Sequence, residues 1–309
     1  MIVRLQPDLS KLLFTMHGSI VPRIMPALLV LAGFTLVVAL LQRYQWVVMP
    51  NFSLAPFTIL GLALSLFLGF RNQAAYDRWW EARKLWGDMV YEIRGLARSS
   101  ETLLAPEAEQ SEAGQLRRQL LSWVAAHSHA LRAALRREDC RADIAPWLDN
   151  AEMEHMLTHD NPADYCLRRA GRIIGKLYRD KHIDSIGLRI LDEHLNELAR
   201  VQAACERIAN TPLPFAFTLL THRTALIYCY TLPFVLVAPM GFYAVLFTLL
   251  VAYTFFGLDV LSQELEGPFG REANDLPLDA LCRVNEISIA ESLGQTPPPQ
   301  LEPVNYILQ

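Results

Sequence analysis

The longest stretch without a charged residue is the feature that most constrains this chain. From Thr224 to Leu258, 35 consecutive residues include no Asp, Glu, Lys or Arg. A helix that crosses a bilayer needs about 20 apolar residues, so this length predicts two spans joined by a turn. Pro239 and Gly241 mark the turn, because proline ends a helix and glycine permits the chain to reverse.

Two more uncharged stretches lie near the start of the chain. Met25–Gln42 and Tyr44–Phe70 are separated only by Arg43. Both are apolar on every side, whereas a core helix of a soluble protein has a polar face. A cleaved signal peptide does not fit, because the first stretch reaches spanning length and the second follows at once. The sequence therefore predicts four transmembrane helices, near residues 24–42, 52–70, 222–238 and 240–259.

The charged residues concentrate between the two pairs of spans. Residues 71–207 hold 21 of the 28 Lys and Arg and 22 of the 32 Asp and Glu. With four spans, every basic residue except Arg43 lies on the same side as both termini, so the positive-inside rule makes that side cytoplasmic. The net charge of -4 excludes a strongly basic nucleic-acid-binding protein.

The charged region is predicted to be helical. Its apolar residues recur at spacings of three and four, no segment alternates at period two, and breaks fall at Pro106, Pro146 and Asn161-Pro162. We therefore predict an all-α, multi-pass membrane protein. Its parts are an N-terminal segment with the first hairpin (1–71), a cytoplasmic helical region (72–221), the second hairpin (222–259), a cytoplasmic C-terminal segment (260–295) and, after three prolines, a loose tail (296–309).

Catalytic and cofactor-binding motifs are absent from the sequence. It contains no Gly-rich phosphate loop, no GxSxG and no HExxH, so neither an enzyme nor a cofactor is indicated. His155 and His159 have the spacing of a metal-binding pair, but without a third ligand a solvated helix face is more typical. Asp77 and Glu81 lie among basic residues, which favours salt bridges along a helix over acid–base chemistry.

The second span carries a ridge of large apolar residues. Leu62, Leu66 and Phe70 are spaced four apart and share one helix face. A parallel stripe of small residues accompanies them and permits close helix approach: Gly61, Ser65 and Gly69. Taken alone, such a ridge is also typical of a helix that faces lipid or a neighbouring helix. Four spans are too few to enclose an aqueous pore, so a conduction pathway would have to lie on the axis of an oligomer.

The segment that follows the second span resembles a known family. GFRNQAAYDRWWEARKLWG (69–87) is similar to the signature of the bestrophin family of ion channels, in its bacterial branch. CERIANTPLPFAFTLLTHR (205–223) and ELEGPFGREANDLPLDALC (264–282) agree with it, as do the MIVR start and the HGSI near residue 17. The motifs occur in order and at the right places relative to the spans, and the resemblance covers about residues 1–287.

The resemblance implies a homopentamer with a central pore and a helical cytoplasmic vestibule, in the inner membrane of a bacterium. Members of the family have a hydrophobic neck of three apolar rings, which correspond here to Leu62, Leu66 and Phe70. Leucines stand at the first two positions, where isoleucines are common. A further ring, the cytoplasmic aperture, corresponds to Ile186. The partners implied are permeating ions, the bilayer and other copies of the chain.

A calcium site is expected to be depleted. In animal bestrophins a run of acidic residues after PFG builds a calcium clasp, whereas here only Glu272 and Asp275 keep a carboxylate and Arg271 adds a positive charge. Calcium takes six to eight oxygen ligands. We therefore expect no calcium gating.

The sign of the conducted ion does not follow from the residues. No charge lies between Phe52 and Phe70, and the charges of the middle region nearly balance. The resemblance implies passive conduction of anions such as chloride. The alternatives are the same channel with sodium or potassium selectivity, and a membrane transporter or scaffold protein without a pore.

Overall fold

The computed structural model describes residues 1–3, 15–16, 18–47, 50, 52–104 and 111–309. Within these ranges the chain is almost entirely helical, which confirms the all-α prediction. The residues Arg4 and His17 of the N-terminal motifs, and the helix break predicted at Pro106, lie outside the described residues. The helices of the described ranges are α1 (Val21–Arg43), α2 (Leu54–Leu103), α3 (Glu112–Arg136), α4 (Arg141–Ile144), α5 (Asn150–Leu157), α6 (Pro162–Arg179), α7 (Ser185–Asn210), α8 (Phe215–Met240), α9 (Tyr243–Glu266) and α10 (Leu278–Ser292).

Four of these helices are long and apolar enough to cross a membrane: α1, α2, α8 and α9. They cover most of the three uncharged stretches of the sequence, the longest of which is divided between α8 and α9. Helix α2 continues beyond its apolar part for a total of 50 residues. No proline interrupts it between Pro56 and Pro106. Between α8 and α9 the chain reverses at Gly241, whose φ of +56° is a conformation that favours glycine.

The chain divides into two compact units. The membrane unit consists of Arg4–Trp79 and Pro212–Pro268, and the helical unit consists of Met1–Val3, Trp80–Thr211 and Phe269–Gln309. Helix α2 contributes residues to both.

The membrane unit has an apolar core that α1, α2, α8 and α9 share. Leu31, Leu68 and Cys229 are fully buried in it. Gly61 permits the closest approach, because a Cβ atom at this position would lie 2.7 Å from the Tyr228 hydroxyl. Gly69, by contrast, has no such neighbour within 4 Å. The predicted stripe of small residues thus serves helix packing within the subunit at Gly61 and not at Gly69.

Four helices of the helical unit begin with capping side chains, whereas α4 and α10 have no such cap. Oxygen atoms of four polar residues accept the N–H of the third residue that follows, which satisfies a donor at the helix start. These residues are Ser111 for α3, Asp149 for α5, Asn161 for α6 and Asp184 for α7. The apolar helices α1, α8 and α9 begin without a side-chain cap. A capping side chain therefore marks where α3, α5, α6 and α7 begin, whereas no such residue marks the start of α1, α8 or α9.

The acidic pair Asp77 and Glu81 does not bridge to its basic neighbours on α2. Asp77 accepts a hydrogen bond from Gln73, at 2.9 Å. Glu81 pairs with Arg207 of α7, at 2.6 Å. The predicted salt bridges along one helix are therefore replaced at Glu81 by a bridge between two helices.

The end of the chain differs from the expected loose tail. The Val3 N–H donates to the Tyr306 carbonyl, and the Leu308 N–H donates to the Met1 carbonyl, both at 2.9 Å. The Ala280 N–H also donates to the Gln309 carbonyl, at 2.7 Å. Helix α10 ends at Ser292, before the three prolines, and Gly294 follows with a φ of +65°. The residues beyond the prolines satisfy backbone groups against the first residues of the chain.

Candidate functional site

The three ridge residues of α2 point away from the core of the subunit. Leu62, Leu66 and Phe70 are 66%, 56% and 59% exposed. On the opposite side of the same helix, Leu64 and Leu68 are buried. We call the surface formed by Leu62, Leu66 and Phe70 the apolar ridge.

Helix α2 is the least covered of the four apolar helices. Only 17% of its most apolar stretch is buried within the subunit, against 28% for α1 and 39% for both α8 and α9. Exposed apolar surface of this extent must be covered by lipid or by other protein chains.

The polar groups close to the apolar ridge are satisfied within the helix. The Ser65 hydroxyl donates to the Leu62 carbonyl at 2.8 Å, and the Thr58 hydroxyl donates to the Leu54 carbonyl at 3.1 Å. Such back-bonding keeps the hydroxyl groups on their own helix. No charged residue lies between Phe52 and Phe70. The surface around the ridge is therefore uncharged, and the Ser65 and Thr58 hydroxyl groups on it donate to their own helix.

A buried ion pair follows the apolar ridge directly. Arg71 is 0% exposed, and its guanidinium pairs with the carboxylate of Asp259 on α9, which is 3% exposed. The other carboxylate oxygen of Asp259 lies 2.7 Å from Nδ1 of His222 on α8 and accepts a hydrogen bond from Gln263 at 3.3 Å. A buried charge needs this kind of pairing, because an unpaired one costs several kcal/mol.

These polar contacts fix the rotation of α2. The next residue, Asn72, donates to the carbonyls of Leu68 and of Leu258 on α9, at 2.9 and 3.1 Å. Arg71 and Asn72 therefore hold one side of α2 against α9. Because neighbouring residues on a helix point about 100° apart, fixing Arg71 inward helps to keep Phe70 outward.

Sequence reasoning missed the role of Arg71 and His222. The available signal was the position of the charges, since Arg71 is the first charged residue after one apolar stretch and Asp259 is the first after another. In an apolar environment, two opposite charges have a lower free energy as a pair than as separate, unpaired charges.

Ile186, the residue of the predicted aperture, lies in the first turn of α7. The turn is capped by Asp184, which accepts the Gly187 N–H at 2.7 Å. Helical periodicity alone would place Ile186 in the core, but its side chain is 65% exposed. It is therefore an apolar side chain on the surface of the helical unit.

Asp275 and Glu272, the acidic residues of the depleted clasp, belong to one tight turn. Asp275 is buried, and its carboxylate accepts the backbone N–H of Glu272 at 2.8 Å. Gly270 makes room for it, since a Cβ atom there would lie 2.5 Å from the same carboxylate. Asp275 thus stabilises the backbone of the turn.

Arg271 points its charge toward other carboxylates. It donates two hydrogen bonds to Glu138, at 2.5 and 2.7 Å, and a third to Asp279, at 3.0 Å. Within the described residues no group of three or more His, Cys, Asp and Glu could hold a metal ion. The rings of His155 and His159 instead pack against each other and against Tyr165, with centroids 4.1 to 5.6 Å apart.

Comparison with known proteins identifies relatives across almost the whole chain. The profile of the family described as "Bacterial/Fungal Bestrophin protein" matches residues 1–291. A voltage-dependent anion channel-forming protein of Mesorhizobium japonicum is 50% identical over 97% of this chain and 95% of its own length. A protein of the same description from Escherichia coli K12 is 38% identical over 94% of this chain and 93% of its own length.

A solved structure agrees with these relatives. The crystal structure of a bacterial bestrophin homologue from Klebsiella pneumoniae superposes with a TM-score of 0.82 at 35% identity, over 89% of this chain and 100% of that chain. The comparisons confirm the class predicted above, a channel protein of the membrane rather than an enzyme. The chain belongs to the bacterial and fungal bestrophin family.

Proposed function

We propose that this protein is a pore-forming channel that passively conducts monovalent anions such as chloride, as a homopentamer in the bacterial inner membrane. The observation that carries the proposal is the apolar ridge, which leaves large side chains uncovered on the least buried apolar helix. Five copies of this helix around one axis would cover the ridge and line a pore with it. The anion channel-forming relatives support the sign of the ion.

In this proposal the ridge is the gate of the channel. Leu62, Leu66 and Phe70 each form a ring of five apolar side chains, and a narrow apolar constriction excludes water. Ions cannot enter a dewetted segment without losing their hydration, so the segment blocks current without a charged plug. A small rotation or tilt of α2 would widen and wet the rings.

Ile186 is proposed as a second, cytoplasmic constriction. Its exposure on the helical unit supports this assignment, because an apolar side chain at the surface is available to face an axis. The positive-inside rule supports an orientation with both termini and the 72–221 region in the cytoplasm.

The test is a current measurement on the purified protein in a planar bilayer with a potassium chloride gradient. A reversal potential close to the chloride equilibrium potential is the expected result. A value close to that of potassium would keep the channel and overturn the anion selectivity.

Assembly is tested separately by mass measurement in detergent. The expected mass is about five times that of one chain, which is 35.0 kDa. A monomer or dimer that carries no current would overturn the pore and favour a transporter or a scaffold protein.

A further inference from the structure

A cleft with an excess of positive charge lies between α2 and α7 in the helical unit. Its volume is about 630 Å³, which is within the range of sites for small organic ligands. Arg200 contributes from α7. The residues that α2 contributes on one face, at helical spacings of three and four, are Trp80, Arg83, Lys84, Gly87 and Asp88.

The two carboxylates that line the cleft are already paired. Glu81 forms its ion pair with Arg207, at 2.6 Å. Asp88 lies 3.8 Å from Arg200, which also donates to Glu197 at 2.5 Å. Both carboxylates of the cleft therefore face arginines of α7, and Arg200 is shared between Asp88 and Glu197.

The remaining two cations, Arg83 and Lys84, have no carboxylate partner within the described part of the chain. The guanidinium of Arg83 lies along the helix, at the distance of ordinary van der Waals contact from a Cβ atom placed on Gly87, 3.5 Å. Two adjacent unpaired cations in a cleft attract an anion, and a guanidinium binds carboxylate, sulfonate or phosphate oxygens in pairs.

Trp80 adds an apolar surface one turn away from Arg83 and Lys84. Its side chain is 46% exposed, so part of the indole remains accessible. An aromatic ring of this kind favours contact with a second planar group.

We propose that this cleft binds an organic anion, with its negative group on Arg83 and Lys84 and a planar apolar part against Trp80. The proposal does not depend on ion conduction, because all of these residues belong to the helical unit and binding is measurable on a closed channel. An inorganic anion would occupy only the charged half of the cleft.

The test is titration calorimetry on the full chain in lipid nanodiscs, with empty nanodiscs as the blank. The probe is naphthalene-1-sulfonate. Methanesulfonate carries the same charge without the ring, and naphthalene-1-methanol carries the ring without the charge. We expect both comparison probes to bind at least about tenfold more weakly than naphthalene-1-sulfonate, because each lacks half of the contacts.

The Kd values of variants show whether naphthalene-1-sulfonate binds in the cleft. We expect Arg83→Gln combined with Lys84→Gln to raise the Kd of naphthalene-1-sulfonate about tenfold or more, and Trp80→Leu to raise it severalfold. Arg172→Gln, at an exposed arginine outside the cleft, is the matched control and should leave the Kd unchanged. Circular dichroism and melting temperature show whether the variants remain folded.

Three results would overturn the proposal. One is equal binding to the wild type and to the Arg83→Gln, Lys84→Gln variant. Another is equal binding of naphthalene-1-sulfonate and naphthalene-1-methanol. The third is a folded double variant that no longer assembles, which would show that Arg83 and Lys84 bind a neighbouring subunit.

Discussion

Each unit of the molecule has a buried ionisable side chain, and the two are accommodated in different ways. In the membrane unit, Arg71 and Asp259 are buried as an ion pair. In the helical unit, His127 is fully buried, and loss of solvation lowers its pKa to about 4, although Nδ1 lies 3.0 Å from the Ala163 carbonyl. His127 is therefore neutral at pH 7.

The difference follows from the chemistry of the two side chains. Histidine can lose its proton when it is buried, whereas an arginine keeps its charge and needs a counter-ion. The membrane unit also exposes the apolar ridge while it buries the charge of the adjacent Arg71. This is the reverse of a protein that faces water on all sides, and it indicates an environment in which apolar surface is tolerated and charge is not.

Breaking the buried pair should have the largest effect. Asp259→Leu leaves the guanidinium of Arg71 buried without its carboxylate partner, which costs about 3–5 kcal/mol. We expect a large fall in the melting temperature of the protein in detergent, or a failure to assemble.

Two further variants test this explanation. Arg71→Leu combined with Asp259→Leu should recover much of the stability, because no unpaired charge remains. Glu193→Leu removes an exposed ion pair with Arg189 and should cost less than about 1 kcal/mol. If Asp259→Leu melts like Glu193→Leu, the pair does not stabilise the membrane unit.

The buried histidine predicts a stability that depends on pH. Its folded pKa is lowered to about 4 from an ordinary value of 6.5, so between these values the unfolded chain binds a proton that the folded chain does not. Stability is therefore unaffected by this group above pH 6.5 and falls as the pH drops toward 4, by up to about 3 kcal/mol. Thermal unfolding from pH 7.5 to 4.5 measures it.

The control replaces the titrating group. His127→Leu should flatten the dependence on pH in this window, whatever it does to stability at pH 7. His155→Gln, at an exposed histidine, should leave the slope as it is. A slope that survives in His127→Leu would assign the acid sensitivity to other groups.

Shortening the apolar ridge should increase the current. Leu66→Ala widens and wets the proposed constriction, and a barrier lower by about 1.4 kcal/mol corresponds to a tenfold larger current. Leu60→Ala makes the same change on α2 outside the ridge, at a residue that is also exposed. Single-channel recordings of both variants would contradict the gate if the currents of Leu66→Ala and Leu60→Ala were equal.

The sequence was sufficient to predict the features that depend on composition along the chain. The uncharged stretches predicted four apolar helices, and the spacing of Leu62, Leu66 and Phe70 placed them on one face. The positions of Arg71 and Asp259 after apolar stretches marked them as candidates for pairing. Which partner each one finds depends on helix packing, because the two residues are 188 positions apart. The hydrogen bonds of residues 306–309 were not predicted, because they join backbone groups, which carry no residue pattern.

A smaller effect is expected at the exposed apolar residue of the helical unit. Ile186→Ala should change the relative permeability of large and small anions by less than about threefold, because one of several constrictions is widened. Ile190→Ala, one turn further along α7 and less exposed, is the matched control. Reversal potentials with chloride on one side and a larger anion on the other measure the change.

The smallest effect is expected at Glu272. It lies in the same turn as Asp275, a buried carboxylate that differs from both the Arg71–Asp259 ion pair and the neutral His127. Asp275 is a buried carboxylate that accepts a backbone N–H of its own turn, while Arg271 directs its charge to Glu138 and Asp279. Calcium needs six to eight oxygen ligands, and Asp275 already gives one oxygen to the turn. We therefore expect equal currents with calcium and with a chelator, both in the wild type and in Glu272→Gln. The opposite result would be a current that calcium increases in the wild type but not in Glu272→Gln. It would show that these carboxylates bind a metal ion, and that the turn is less rigid than its hydrogen bonds indicate.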